Sequence, residues 1–328
     1  DAGNASVANG VNANAIAGDI FTNTTGGVLD VDYTIVPVSA AGCLGDPVVV
    51  TLTVKPEPVM NNALNGDVCS DENLGLTLSV ATGSIAAASY NITSITPDGD
   101  LTPDGSNVGT ANGVAASYLQ NLKYNNVTSA SKDVVIGVVP VGTNGCLGDE
   151  ISITYTIDPE PVLDPTLNDV VCSDASIGLT LDVTGTSVAA SSYNVSTITI
   201  PVGLTDNGSN EGTGNGKSAG DFANDKYTNQ TDAAIDVTYN VVPVSSDNCL
   251  GDPVNVIITI NPEPVLDPNL DNSTCSDVAS GITLQVDPGI TGVAAANYNI
   301  TAINVATGLV VDAGNASVAN GVNANAIA

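Results

Sequence analysis

Histidine, arginine and tryptophan are absent from the 328 residues, and five lysines stand against 35 acidic residues. Each absence excludes something. Without histidine, nucleophile–base pairs of the Ser–His or Cys–His kind lack their base, and mixed Cys/His zinc sites lack a ligand. Without arginine, and with so few lysines, the phosphate contacts that carry nucleic-acid binding cannot be assembled. A net charge of −30 also opposes anionic membrane surfaces. No apolar run approaches the roughly 20 residues of a membrane span, so no membrane insertion is expected. No leader segment stands at the start, because residue 1 falls inside a repeat; the sequence reads as a mature or internal segment. A carboxylate pair is the catalytic arrangement left over. Yet the acidic residues recur copy after copy, and successive identical active sites are not expected. The sequence therefore reads as no enzyme.

What is present is aliphatic and β-prone. The hydrophobic fraction is 43% while aromatics make up 3%, so a core is affordable but must be built from Val, Ile, Leu and Ala. Val, Ile and Thr favour strands, and Asn, Asp and Gly favour turns, which predicts an all-β chain with many loops. Self-comparison gives the strongest signal. "CLGD" begins at Cys43, Cys146 and Cys249; "CSD" begins at Cys69, Cys172 and Cys275; "PEPV" begins at Pro56, Pro159 and Pro262, each series at a spacing of 103. "YN" falls at Tyr90, Tyr193 and Tyr298, so the last copy holds two extra residues, and "DAGNASVANGVNANAIA" opens at both Asp1 and Asp312. A unit of this length is too long for a solenoid turn and matches one immunoglobulin-like sandwich. The expected organisation is beads on a string. Residues 1–58 form the C-terminal half of a sandwich, 59–161 and 162–264 are complete sandwiches, and 265–328 form an N-terminal half. The seventeen-residue duplication then marks one period of three domains within a longer repetitive polypeptide.

Within one unit, "LGLTLSV" sets Leu76, Leu78 and Val80 on one face, and "ISITYTID" does the same with Ile151, Ile153, Tyr155 and Ile157. Period-two alternation of this kind marks strands with one face on a core. Between Val134 and Ile157, "GTNGCLGD" predicts a hairpin turn. The weakly helical "GVAASYLQNLKYNN" has the polar, glycine-rich counterpart "GKSAGDFANDKYTN", so at most a short turn is expected there. Pro140, recurring as Pro37 and Pro243, should lie at an edge or a bulge because proline has no ladder donor.

Six cysteines without a CxxC pair, and without His, read as disulfides in an oxidising compartment. Two pairings compete: Cys146 with Cys172 across the linker, or Cys69 with Cys146 within a domain. If the first strand starts at the end where the last two strands turn, Cys69 and Cys146 are neighbours. "EISITYTID" meanwhile carries the chain about 26 Å away from Cys146, against a Cα separation of about 5.5 Å in a disulfide. This reading predicts Cys69–Cys146 and Cys172–Cys249, with Cys43 and Cys275 paired to copies outside the sequence.

The closing half of the unit, "DVTYNVVPVSSDNCLGDPVNVIITINPEPV", is similar to the PKD-like repeats of very large Bacteroidota surface proteins, the gliding-motility adhesins of the SprB type exported by type IX secretion. The matching pattern is an aromatic "VTY" strand, "VPV", a Cys-x-Gly turn, an alternating strand and a "PxPV" close. It stands as "DVDYTIVPVSAAGCLGDPVVVTLTVKPEPV" in the first copy and, without the tyrosine, as "DVVIGVVPVGTNGCLGDEISITYTIDPEPV" in the middle one. The resemblance implies a β-sandwich, an extracellular, cell-surface location and a role in adhesion or filament building. It brings no catalytic residues.

Two further site readings come from the residues. Glu57, Asp71 and Asp149 recur as Glu160, Asp174 and Asp252, carboxylates of the kind that bind calcium; the competing reading is turn chemistry, with Asp71 capping one turn and Asp149 closing another. No cofactor is required. "TPDGDLTPDGSN", with Asp98, Asp100 and Asp104, reads as a solvated loop. A Lys–Asn isopeptide bond is not general, because Lys123 and Lys226 align with Ile20, and Lys55 aligns with Asp158 and Asn261. The prolines of "PEPVLDP" favour a stiff, extended linker. Together these features predict a structural and adhesive stalk whose partners are further copies of the same protein, end to end or side by side, and a surface or glycan target that the sequence does not name. Alternatives are a fibre of subunits joined head to tail and a calcium-loaded surface or matrix protein.

Overall fold

The computed structural model describes residues 3–290 and 293–322. The chain is all-β, with no α-helix among the described residues. Its strands, in chain order, are β1 (Leu29–Ile35), β2 (Val48–Val54), β3 (Gly66–Cys69), β4 (Ala87–Pro97), β5 (Thr102–Pro103), β6 (Ala111–Val114), β7 (Tyr124–Asn125), β8 (Lys132–Gly142) and β9 (Ile151–Asp158). They continue as β10 (Asp169–Cys172), β11 (Ala190–Thr199), β12 (Leu204–Asp206), β13 (Gly214–Lys217), β14 (Tyr227–Asn229), β15 (Ile235–Ser245), β16 (Val254–Asn261), β17 (Tyr298–Ile300) and β18 (Ala319–Val322). Two compact units result. One comprises Asp1–Glu160 with Thr186–Val188, the other Pro161–Gly185 with Ala189–Ala328.

Each unit contains one complete sandwich built to the same plan. In the first unit a five-stranded sheet runs in the order β3-β9-β8-β4-β6, with the pair β5-β7 in the other layer. The second unit repeats this as β10-β16-β15-β11-β13 with β12-β14. The alternating "LGLTLSV" segment runs through the facing layer, where Leu74 N–H meets the Leu122 carbonyl at 2.9 Å and Leu78 N–H meets that of Ala116 at 2.9 Å. Its apolar face, Leu74, Leu76 and Leu78, is buried against Val134, Ile136, Val138, Ile153 and Ile157 of the sheet. The second core repeats the arrangement with Ile177, Leu179 and Leu181 against Val237, Val256, Ile258 and Ile260. The segment with helical spacing forms turns only, in which Tyr118, Gln120 and Leu122 each bond three residues back.

Pro140 departs from expectation. β8 is a central strand, flanked by β9 and β4. Its ladder with β9, however, ends at Val138 opposite Ile151. Beyond that point the Pro140 carbonyl accepts from Gly148 N–H at 2.9 Å. The donorless nitrogen faces the same side, where no ladder partner is left.

The partial copies show what each layer does for the other. β1 and β2 pair over seven residues, but Val50 is 45% exposed whereas its counterparts Ile153 and Val256 are 1% and 2% exposed. In the last copy β17 pairs with β18, and the apolar side chains of Leu266, Ile282, Leu284, Tyr298 and Ile300 line an open groove.

The cores differ in one coordinated feature. In the second unit the Tyr239 hydroxyl donates to Asp225 Oδ2 at 2.9 Å and lies 2.8 Å from the Tyr227 hydroxyl. Tyr33 and Asp19 form the same pair at 2.9 Å in the first copy. The middle copy replaces both at once, with Ile136 and Leu122. Burial raises the Asp225 carboxyl above its usual range, opposed by the Glu211 N–H and the Tyr239 hydroxyl. A carboxyl raised in the folded state contributes stability that is full below its unfolded value of about 3.9 and is lost as pH rises through the folded value. Asp225→Asn should therefore flatten the acid limb of stability, read by hydrogen exchange of β15 amides across pH. Asp225→Leu alone should destabilise the second sandwich, and adding Tyr239→Ile should recover part of the loss, with a coupling of about 0.5–3 kcal/mol in urea unfolding; additive losses would contradict the pairing.

Candidate functional site at the repeat junction

The chain offers a junction in place of a catalytic cleft. Its exit side is organised by a buried asparagine. Asn126 Nδ2 donates to the carbonyls of Ala130 at 3.0 Å and Ile157 at 2.8 Å, while its Oδ1 accepts from Thr128 Oγ1 at 2.7 Å. Its backbone N–H donates to Ser70 Oγ at 2.8 Å, and its carbonyl accepts from Glu160 N–H at 3.0 Å. One residue thus ties the "CSD" turn, the end of β9 and the first residues of the proline segment. Asn23 and Asn229 repeat the pattern, bonding Val54 and Ile260 at 2.8 Å and receiving Glu57 and Glu263 N–H at 2.9 Å. These asparagines were missed in the sequence, although "NxT" recurs there at Asn23, Asn126 and Asn229 with the common spacing of 103.

The entry side is the "CLGD" turn between β8 and β9. Gly142 N–H bonds the Cys146 carbonyl at 2.8 Å, and Asn144 Oδ1 accepts from Cys146 N–H at 3.0 Å. Asn144 Nδ2 then donates to the Pro56 carbonyl at 2.8 Å. A methyl group added at Gly148 would lie 1.9 Å from the Pro58 carbonyl oxygen. Gly251 stands in the same relation to the Pro161 oxygen, at 2.0 Å. Pro56 and Pro58 are buried, so this proline segment is packed against the sandwich that follows it. The next residue is pinned as well: Val59 N–H donates to Ser84 Oγ at 2.8 Å, and its carbonyl accepts from Ala81 N–H at 2.8 Å.

The recurring carboxylates are regrouped by this geometry. β3 runs parallel to β9 with Cys69 opposite Asp158, so Asp71 lies where β9 ends, and Asp149 lies before β9 begins. Eight residues of strand, about 26 Å, separate the two aspartates. The same register, Cys172 opposite Asn261, separates Asp174 from Asp252. Glu57 instead lies beside Asp149; burial first, and then the Asp149 charge, raise its carboxyl above the usual range. Asp71 faces Glu160 through Asn125 Nδ2, which donates to Asp71 Oδ2 at 3.2 Å and Glu160 Oε1 at 2.8 Å. Among the described residues, no group of three or more His, Cys, Asp or Glu side chains gathers to hold a metal. Asp71 and Asp174 have φ of 61° and 60°, the left-handed region that short polar side chains tolerate in turns. In the acidic loop, Lys132 Nζ lies 2.6 Å from Asp100 and 3.7 Å from Asp98, and Lys123 Nζ lies 2.6 Å from Asp104.

The expected disulfides are not formed. Cys146 and Cys172 are free thiols, as are Cys43 and Cys275, whereas Cys69 and Cys249 are disulfide-bonded. The reason is the strand register. Cys69 ends the first strand instead of preceding it, and so lies at the far end of β9 from Cys146.

Gly148→Ala should be the most damaging single methyl in this turn, because backbone and not a flexible side chain occupies the space. A loss of about 1–3 kcal/mol is expected in urea unfolding, with faster exchange at Val59 N–H. Ala at Gly145, which has open space but φ of 81°, should cost less. Equal losses would remove the packing argument.

Comparison with known proteins agrees with this architecture. No curated protein matches the sequence. Among solved structures, fibronectin(III)-like modules of Clostridium thermocellum CbhA align at 12% identity over 66% of this chain and 98% of theirs, with a TM-score of 0.20. The zebrafish RET cadherin-like domains 1 to 4 align at 12% identity over 72% of this chain and 58% of theirs, with a TM-score of 0.22. Drosophila N-cadherin EC1-4 aligns at 13% identity over 80% and 67%, with a TM-score of 0.20. Residues 2–58 and 169–264 match the family described as the PKD-like domain, an immunoglobulin-like sandwich module.

Proposed function

We propose that the chain is a structural, non-catalytic segment of a long secreted adhesin or filament at a bacterial cell surface. The observation that carries this reading is the packed junction: Pro58 set against Gly148, Asn144 on the Pro56 carbonyl, and an asparagine hub holding the glutamate of each proline segment. A tether needs no such packing, since a flexible linker would serve. A stalk does, because every joint must resist bending. The match to the PKD-like family and the likeness of the closing half-repeat to Bacteroidota gliding-motility adhesins support an extracellular, adhesive setting, with further copies of the same protein as the partners. The charge of −30 keeps such chains soluble.

Pulling the chain by its ends under reducing conditions tests the reading. Two force peaks are expected, one for each complete sandwich, each releasing roughly 100 residues or about 330–360 Å of contour. Smooth extension without peaks would overturn a load-bearing role.

A further inference from the structure

The two recurring cysteine positions lie at the two sides of one kind of junction. On the exit side, the register of β3 on β9 sets Cys69 opposite Asp158, and that of β10 on β16 sets Cys172 opposite Asn261. Ser70 N–H and Ser173 N–H bond those same two residues' carbonyls, at 2.8 Å and 2.9 Å. The "CSD" cysteine is therefore fixed where the last strand of its sandwich runs into the prolines. On the entry side, the "CLGD" cysteine stands in the turn that holds the incoming segment. Cys146 N–H bonds Asn144 Oδ1 at 3.0 Å, and Asn144 Nδ2 bonds the Pro56 carbonyl at 2.8 Å.

The first unit shows how close the two positions come. Lys55, the residue before Pro56, is the counterpart of Asp158 at the spacing of 103. A "CSD" cysteine belonging to the first copy would lie opposite Lys55, next to the proline whose carbonyl the Cys146 turn holds. Within a sandwich the same two cysteines lie at opposite ends of β9, about 26 Å apart by strand length, against about 5.5 Å for a disulfide.

We propose that each "CSD" cysteine forms a disulfide with the "CLGD" cysteine of the following repeat, so that consecutive repeats are joined covalently across the junction as well as along the backbone. The thiol states agree. In this sequence the rule supplies both partners for one pair only, Cys69 and Cys249, and these two cysteines are disulfide-bonded. It assigns Cys43, Cys146, Cys172 and Cys275 to repeats that the sequence does not contain, and those four are free. Formation joins two thiol sulfurs with loss of two protons and two electrons. A small-molecule disulfide such as oxidised glutathione accepts them, its S–S bond breaking to two thiols. The rule rests on the oxidising, extracellular setting proposed above, but its test does not.

The full chain is oxidised with a glutathione redox pair, its remaining thiols are alkylated, and it is cleaved at lysine without reduction. Cleavage at Lys123, Lys132, Lys217 and Lys226 separates Cys43 and Cys69, Cys146 and Cys172, and Cys249 and Cys275 into three fragments. The expected product joins the first fragment to the third, with alkylated Cys146 and Cys172 in the second. Further cleavage at aspartate, with Asp46 and Asp67 between Cys43 and Cys69 and Asp252 between Cys249 and Cys275, should leave the bond on Cys69 and Cys249. A link from either outer fragment to the middle one, a bond on Cys43 or Cys275, or six alkylated thiols would overturn the rule. The map reads linkage whether or not the chain bears load, so its failure is separate from that of the stalk.

Discussion

The arrangement beyond a single sandwich depends on one buried side-chain amide. Asn126 and its counterparts Asn23 and Asn229 use their carboxamide to close a local Thr turn and to take up a carbonyl of the last strand, Ile157, Val54 or Ile260. Their backbone carbonyl then fixes the glutamate of the proline segment. Buried polar groups left unpaired cost about 1–3 kcal/mol each. Losing this side chain would strand several at once, at the point where the chain leaves its sandwich. An aliphatic residue of equal volume could fill the space but could not direct the chain. The direction of exit is thus set by hydrogen bonding, while the prolines, with φ already restricted, only preserve it.

The cores follow a looser rule. Where one copy joins Tyr239 to Asp225, another places Ile136 and Leu122. Either choice satisfies the same volume, because a buried carboxylate is tolerable only with its hydroxyl partner and a buried hydroxyl only with an acceptor. Half of the exchange is costly and the whole is not, so the two positions change together. The asparagine, the glycine of "CLGD" and the cysteines recur unchanged, since backbone and junction geometry leave them no paired alternative.

Much of the sandwich was legible because it is local. The alternation in "ISITYTID", the glycine-rich turn at Cys146 and the absence of a true helix near Tyr118 each follow from a few adjacent residues. The cysteine partners and the carboxylate groups were not legible, because both depended on which end of the domain the first strand faces. A four-residue strand such as "GDVC" contains nothing that distinguishes parallel from antiparallel pairing. Once β3 lies parallel to β9, Cys69 and Asp71 move to the far end and every inference about neighbours changes. Asn126 was obscured differently: its "NxT" triplet resembles a modification signal, and only its recurrence at 103 residues points to architecture.

The same parallel register has a mechanical consequence. In each complete sandwich the first strand, β3 or β10, lies beside the last, β9 or β16, and the two run in the same direction. Tension enters at the start of the first strand and leaves at the end of the last, so it pulls the neighbours past each other along their length. All four residue pairs of the ladder are then loaded together, in shear, where an antiparallel terminal pair would open one bond at a time. A crosslink from one repeat's "CSD" cysteine to the next repeat's "CLGD" cysteine spans more than one period of 103 residues. Successive crosslinks of that kind overlap along the sequence, and in a continuous array each stretch of backbone is bypassed by a covalent bond. Shear-loaded strands inside each sandwich and overlapping disulfides between them resist the same force at two levels, and the first comes from a strand of only four residues.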